Sequence, residues 1–214
     1  MKKDIYGKIK EKTGKDCIII GLTGPTGSGK STVAALLGNR DKCIVVDADM
    51  LSRRVVETGK RCLLELAMEF SPFIITSEGS LNRRKLASIV FNDEEKLKKL
   101  QSIIFPYIAE EAKNDFEEAK KAGARAIIFD APTLFESGMH EMCDTIAVVT
   151  APLEIRIKRI IARDGITYEE AKSRINSQRS DEYYTSRADY VIINNDDMTE
   201  LRMSVVELQN ALGL

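Results

Sequence analysis

From Gly24 to Ser31 the chain reads Gly-Pro-Thr-Gly-Ser-Gly-Lys-Ser, followed by Thr32. These residue types at this spacing suit one task, the grip of a nucleotide's phosphates. Glycines let the backbone turn tightly enough for several N–H groups to face a single anion. Lys30 is placed to reach the β- and γ-phosphates, and the Ser31 hydroxyl to bind Mg²⁺. An apolar run, Ile18-Ile19-Ile20-Gly21-Leu22, leads in, and good helix material, Thr32-Val33-Ala34-Ala35-Leu36-Leu37, leads out. The loop therefore ends at a helix N-terminus, where backbone dipoles favour negative charge. A plain glycine turn between strand and helix is the bland alternative. The complete motif in this setting points instead to phosphate binding by Gly27, Ser28, Gly29, Lys30, Ser31 and Thr32.

Two acidic positions follow apolar runs and so sit where strands end, the place ligands occupy in open α/β sheets. Asp47-Ala48-Asp49 follows Cys43–Val46. One acid could serve as general base on a hydroxyl while the other organises Mg²⁺ or holds a loop; the competing role is a helix cap. Asp130 ends the run Ala126-Ile127-Ile128-Phe129, with Pro132 just beyond. In a chain with this glycine loop, that position suits an acid assisting Mg²⁺. Arg156, Arg159 and Arg163 recur at spacings of three and four and share one helix face. Such a stripe is either a solvated face or a set of permanent charges for a transferring phosphoryl group. Arg83 and Arg84, after the turn Gly79-Ser80, are weaker candidates for an acceptor's phosphate.

The elements that must position these groups alternate. Strands are expected at 17–21, 43–47, 124–130, 145–150 and 190–193, and helices at 31–38, 49–58, 106–121, 152–163 and 198–212. Strands that are nearly continuous in apolar character suit a sheet buried on both faces. Alternation with helices argues for an α/β doubly wound sheet, five-stranded and mostly parallel. Two stretches interrupt it. Residues 59–105 read as an inserted helical cap, and the polar stretch 164–187 as a mobile lid over the phosphates. Residues 17–58, 106–163 and 188–214 then form the nucleotide-binding core, and 1–16 a Lys-rich extension.

Composition narrows the function classes. With 214 residues, 43% of them hydrophobic and 30% charged, the chain can bury a core without disulfides. Its net charge of −1 provides no global field toward nucleic acid or membrane. No apolar run approaches a membrane span. The scattered cysteines (Cys17, Cys43, Cys62 and Cys143) fit reduced thiols in a cytoplasmic protein. A lone histidine, His140, expected at the surface, leaves no His-based metal site or triad. A GTP-dependent switch needs an Asn-Lys-x-Asp segment, which Asn194-Asn195-Asp196-Asp197 does not supply. A small-molecule kinase and a nucleotide-binding regulator without turnover both remain open on the motifs alone.

From Ile18 to about Asn194 the motifs resemble, in order, those of the dephospho-coenzyme A kinase family. The resemblance rests on the glycine loop, Asp47-Ala48-Asp49, Gly79-x-Leu81-Asn82-Arg83-x-x-Leu86 with Val90-Phe91, and Leu100–Ile108. It continues through Asp130-Ala131-Pro132-Thr133-Leu134-Phe135-Glu136 and then Arg159, Arg163-Asp164, Arg174, Gln178 and Ala188–Ile192. The chain departs from the family pattern at Asn82, Phe105, Thr133, Arg156 and Tyr184. The resemblance implies a P-loop NTPase fold carrying a helical acceptor insert and a lid. It also implies ATP and Mg²⁺ as cofactors and dephospho-coenzyme A as substrate. Asp49 would be the base acting on the ribose 3′-hydroxyl, with Lys30, Arg159 and Arg163 as the other catalytic groups. Ser31 and Asp130 would hold the metal, and Asp47, Asp49, Arg83, Pro106, Asp130 and Pro132 would bind the acceptor.

Overall fold

Five parallel-type strands pair in the order β2-β3-β1-β4-β5: β1 (Ile18–Thr23), β2 (Cys43–Asp47), β3 (Ala126–Asp130), β4 (Thr145–Thr150) and β5 (Tyr190–Ile193). The computed structural model describes residues 16–91 and 93–214, so the expected extension 1–16 lies almost wholly outside the described residues. Strand β1 pairs in parallel with β3 (Ile20 opposite Ile128) and with β4 (Leu22 opposite Ala147), and β4 with β5 (Val149 opposite Ile192). The connection leaving β1 runs to β2 on one side of the sheet, whereas the connection leaving its neighbour β3 runs to β4 on the other. That is the topological switch point outside which ligands sit, and the glycine loop follows β1 directly.

Side chains two residues apart share a sheet face. Ile20 and Leu22, Ala126 and Ile128, Ala147 and Val149, and Tyr190 and Ile192 accordingly form one buried layer. Helices α1 (Lys30–Gly38) and α9 (Met198–Leu212) cover it with Val33, Ala34 and Leu37, and with Leu201, Val205 and Leu208. On the opposite face Val148 packs with Phe135 and with Tyr184 of α8 (Asp181–Thr185). Both faces are thus closed over β1, β3 and β4, which is why these strands read as unbroken apolar runs; the edge strand β2 is only partly buried.

The remaining helices are α2 (Ala48–Arg54), α3 (Arg61–Glu69), α4 (Arg83–Val90), α5 (Glu94–Lys121), α6 (Leu153–Asp164) and α7 (Tyr168–Asn176). Their starts follow local capping chemistry. Asp47 accepts from the N–H groups of Asp49 and Met50, Asn82 from Lys85, Ser180 from Tyr183, and Asp197 from Thr199 and Glu200. Thr167 and Glu170 form a reciprocal capping box on α7.

By its internal contacts the chain divides into two compact units, one running to Val46 and resuming at Ala119–Leu214, the other Asp47–Glu118. In the second unit α5 is the spine. Arg54 of α2 donates to Asp115 at 2.7 Å and Lys60 to Glu111 at 3.4 Å, while Lys99 of α5 pairs with Glu69 of α3 at 3.5 Å.

Four local expectations need correction. Helix α5 does not begin at Pro106 but runs from Glu94 straight through it. Pro106 and Ser102, the residue whose carbonyl loses its helical partner there, are both exposed, so the interruption is tolerated. Helix α2 stops at Arg54, short of 58. The stretch 164–187 is not uniformly polar loop: it holds α7 and α8, with Ala171 and Ile175 packed on Ile157 and Ile160 of α6, and Tyr184 2% exposed. His140 is half-buried in a short 3-10 turn, its ring 5.6 Å from Phe135 and its Nδ1 without a hydrogen-bond partner among the described residues.

Ile128 lies at the centre of the sheet's covered face with no exposure. Ile128→Ala should therefore lower unfolding free energy by about 2–5 kcal/mol, the usual range for emptying such a site. Denaturant titration checks this: the midpoint falls while the denaturant dependence stays unchanged.

Candidate active site

The loop after β1 is shaped by what happens to its carbonyls. The Thr26 carbonyl accepts from Arg156 Nε at 2.9 Å, and the Gly27 carbonyl from an Arg159 guanidinium nitrogen at 3.2 Å. The Ser28 carbonyl accepts twice, from the same Arg159 nitrogen at 3.1 Å and from Asn194 Nδ2 at 3.0 Å. Three consecutive acceptors are thereby tied to side chains outside the loop. The N–H groups of Gly27, Gly29, Lys30 and Ser31 make no hydrogen bond among the described residues. A turn whose acceptors are satisfied and whose donors are free binds an anion. Gly29 caps α1 in the left-handed region (φ 88°), and a Cβ there would lie 2.1 Å from Asn194 Nδ2. Only glycine fits that position.

Lys30 and Asp130 are brought together. The ammonium pairs with Asp130 Oδ1, and both side chains are largely buried, 16% and 11% exposed. Ser31 stands exposed in the first turn of α1, which contains no acid. Pro132 follows Asp130 by two residues, and its carbonyl accepts from the Thr23 hydroxyl at 3.2 Å, tying the end of β1 to the loop after β3.

The three arginines of α6 share a face but sit at three depths. Arg156 is buried and bridges Thr26 to Asp181. Arg159 is one-quarter exposed; besides the loop carbonyls it reaches Asn194 Oδ1 and Asp196 Oδ1, each at 2.8 Å. Arg163 is well exposed and meets Asp164 through two parallel bonds of 2.7 and 2.9 Å, while Arg174 of α7 also pairs with Asp164. The Arg163 guanidinium beside Asp164, reinforced by Arg174, holds that carboxyl down at about 2. Burial pushes the Tyr184 hydroxyl up to about 12 and the Cys143 thiol up to about 12, so neither is a nucleophile near neutral pH.

The second unit carries the other expected residues. Asp47 spends its Oδ1 on capping α2, with bonds of 2.7 Å to Asp49 N and 3.3 Å to Met50 N. The exposed Asp49 carboxylate accepts no hydrogen bond among the described residues. Arg83 opens α4 exposed, directly after its cap Asn82; Asn accepts from the Lys85 N–H at 3.0 Å as an Asp would. Pro106 is exposed within α5, beside a half-buried Phe105.

Asn194 and Asp196 were not among the candidates read from the sequence. Asn194 is 4% exposed, directly after β5, and holds both Ser28 and Arg159. The strand-end position that singled out Asp47 and Asp130 applies to it equally.

A family model for dephospho-CoA kinase matches residues 18–200. The chain belongs to the dephospho-CoA kinase family. Dephospho-CoA kinase of Corynebacterium glutamicum is 40% identical over 186 residues, covering 87% of this chain and 95% of that protein. The Listeria innocua enzyme of the same name is 40% identical over 187 residues, 87% of this chain and 93% of that one. A crystal structure of a Thermus thermophilus protein superposes with a TM-score of 0.77 at 36% identity, over 92% of this chain and 98% of its own. As a dephospho-CoA kinase the chain is an ATP-using phosphotransferase, and its glycine loop and parallel sheet form the P-loop kinase fold. No helix among the described residues is long and apolar enough to cross a membrane.

The Asp164 carboxyl, held near 2 against an ordinary value of 3.8, gives a signed pH dependence. A depressed carboxyl stabilises the folded state above its unfolded value, and that contribution is lost as pH falls between the two values. Comparing thermal unfolding of the wild type with Asp164→Asn should show a small gap at pH 5, as expected of an exposed pair, that closes as pH approaches 2.

Proposed function

We propose that this dephospho-CoA kinase transfers the γ-phosphoryl group of ATP to the ribose 3′-hydroxyl of dephospho-coenzyme A, giving coenzyme A and ADP, the last step of coenzyme A biosynthesis. The observation that carries the donor side is the run of free N–H groups at Gly27, Gly29, Lys30 and Ser31, set against three tied-off carbonyls and adjoining the Lys30–Asp130 pair. On this reading the N–H groups hold the β-phosphate, and Lys30 leaves Asp130 to meet the phosphate oxygens. Thr32 lines the same helix start. An ammonium already desolvated needs little reorganisation to serve developing charge.

Ser31 and Asp130 are the residues that would hold Mg²⁺. One exposed hydroxyl and one carboxylate fit a hard cation that keeps several waters and takes its other ligands from phosphate oxygens. When bound, the ion would offset negative charge on the phosphates. Among the described residues there is no cluster of three His, Cys, Asp or Glu groups that would form a dedicated protein cage for it.

Asp49 is assigned as the general base. Its carboxylate accepts no competing hydrogen bond among the described residues, whereas Asp47 is committed to its cap. The 3′-hydroxyl gives its proton to Asp49 as its oxygen bonds to the γ-phosphorus, and the bond to the ADP oxygen breaks. Asp47 through its second oxygen, Arg83, Pro106, Asp130 and Pro132 are assigned to the acceptor. Arg163 is the arginine assigned to the transferring phosphoryl oxygens, being exposed and held in orientation by Asp164. Arg159 acts on the same chemistry through the loop carbonyls it holds. Residues 164–187 are assigned as the lid that excludes water, 59–105 as the acceptor insert, and the cytoplasm as the site of action.

Chromatography of a reaction with Mg·ATP and dephospho-coenzyme A, beside a panel of nucleoside monophosphates, tests the assignment. Coenzyme A and ADP should appear together and be absent with Lys30→Ala; ADP formed only with another acceptor would move the substrate. Asp49→Asn should cut turnover by a factor on the order of 10²–10⁴, the worth of a positioned base, with ATP affinity by calorimetry nearly unchanged. Arg163→Ala should lower kcat more than it weakens ATP binding. A variant that loses only ATP affinity would make Arg163 a ground-state contact instead.

A further inference from the structure

Thr26 is held at both of its backbone polar groups by side chains from outside the phosphate loop. Its N–H donates to Gln178 Oε1 at 2.9 Å, and its carbonyl accepts from Arg156 Nε at 2.9 Å. The other arm of Arg156 donates to Asp181 Oδ1 at 2.7 Å, in the first turn of α8. The next residue, Gly27, lies against the backbone of α6 itself: with φ at 77°, a Cβ there would fall 2.8 Å from the Arg156 carbonyl oxygen and 3.0 Å from its Cα. The loop's first half therefore rests on Arg156 and is bonded to it.

Burial makes this arrangement conditional. The Arg156 side chain is only 4% exposed, and a guanidinium that far from water needs an opposite charge as well as neutral acceptors. Among the described residues Asp181 is its only ion-pair partner. Asp181 is available there because α8 is seated by Tyr184, 2% exposed against Val148 and Phe135 on the sheet. One continuous set of contacts thus runs from strand β4 through Tyr184, α8, Asp181 and Arg156 to the Thr26 carbonyl, and Gln178, between α7 and α8, closes it at the Thr26 N–H.

We propose that Arg156, Asp181 and Gln178 are positioning residues for the phosphate loop, fixing Thr26 so that the following N–H groups stay free and aligned for ATP. Seating of the 177–185 segment and correct loop shape are then one event. Arg156 contacts no phosphate in this role; its charge serves the loop through geometry. The kinetic half of the idea rests on the phosphoryl-transfer reading above, but the binding half does not.

The test is a double-mutant cycle on the full chain with Asp181→Ala, Arg156→Gln and the pair. It is read by calorimetry with Mg·ATP, by kcat and the two KM values, and by the thermal midpoint. Asp181→Ala leaves a buried charge unpaired. It should weaken ATP binding by about tenfold, a mid-range coupling within one ion-pair network, and lower kcat, with KM for dephospho-coenzyme A unchanged. Gln at 156 can still donate to the Thr26 carbonyl and carries no charge. In that background Asp181→Ala should therefore add less than about twofold. An equal loss in both backgrounds overturns the proposal, and so does a fall in thermal midpoint with ATP affinity intact. If Asp181→Ala does not fold, Gln178→Ala carries the test: its side chain is exposed, and unchanged ATP affinity there overturns the proposal. A wild type that binds ATP but does not phosphorylate dephospho-coenzyme A, with the cycle behaving as described, sinks the acceptor assignment and upholds the positioning role.

Discussion

The site depends on keeping three backbone carbonyls away from the phosphates. A glycine-rich turn by itself presents acceptors and donors alike, and an anion placed on it would meet both. Here Arg156, Arg159 and Asn194 take the carbonyls of Thr26, Gly27 and Ser28, while the N–H groups of Gly27, Gly29, Lys30 and Ser31 stay unpaired among the described residues.

The arginine stripe of α6 shows how depth separates roles that sequence spacing makes look equal. All three guanidiniums lie on one face, and each meets a different partner set as the helix leaves the sheet. Arg156 is buried and requires Asp181. Arg159 is shared between loop carbonyls and the polar end of β5. Arg163 is at the surface, paired with Asp164. Exposed pairs of this last kind contribute little to stability. Their value is orientation, since a bidentate pair holds the guanidinium plane in one direction.

Capping gives several polar residues of the second unit a structural duty beside their expected chemical one. Asp47 starts α2 and Asn82 starts α4, each accepting from N–H groups two or three positions ahead. Asp47 is committed through one oxygen to its cap, whereas the Asp49 carboxylate is unengaged among the described residues. That division of labour distinguishes two acids that are one residue apart and otherwise alike.

Much of this protein was legible in its sequence, because much of it is local. The phosphate loop is eight consecutive residues whose types restrict the backbone directly. The strands announce themselves because burial on both faces removes any need for polar residues between the apolar ones, and helix starts follow from caps bonding two or three positions ahead. What eluded the sequence was decided by distance along the chain. Thr26 meets Arg156 across 130 positions and Ser28 meets Asn194 across 166, and no periodicity connects such partners. The passage of α5 through Pro106 was equally invisible, since only the folded chain leaves that turn facing water. The depth of each arginine, and with it the set of partners each one meets, was set by how α6, α8 and β5 pack. Sequence determined that a phosphate loop would form and what charge it would meet. Tertiary structure decided which side chains hold it open, because burial and charge pairing are properties of the packed chain and not of any segment in it.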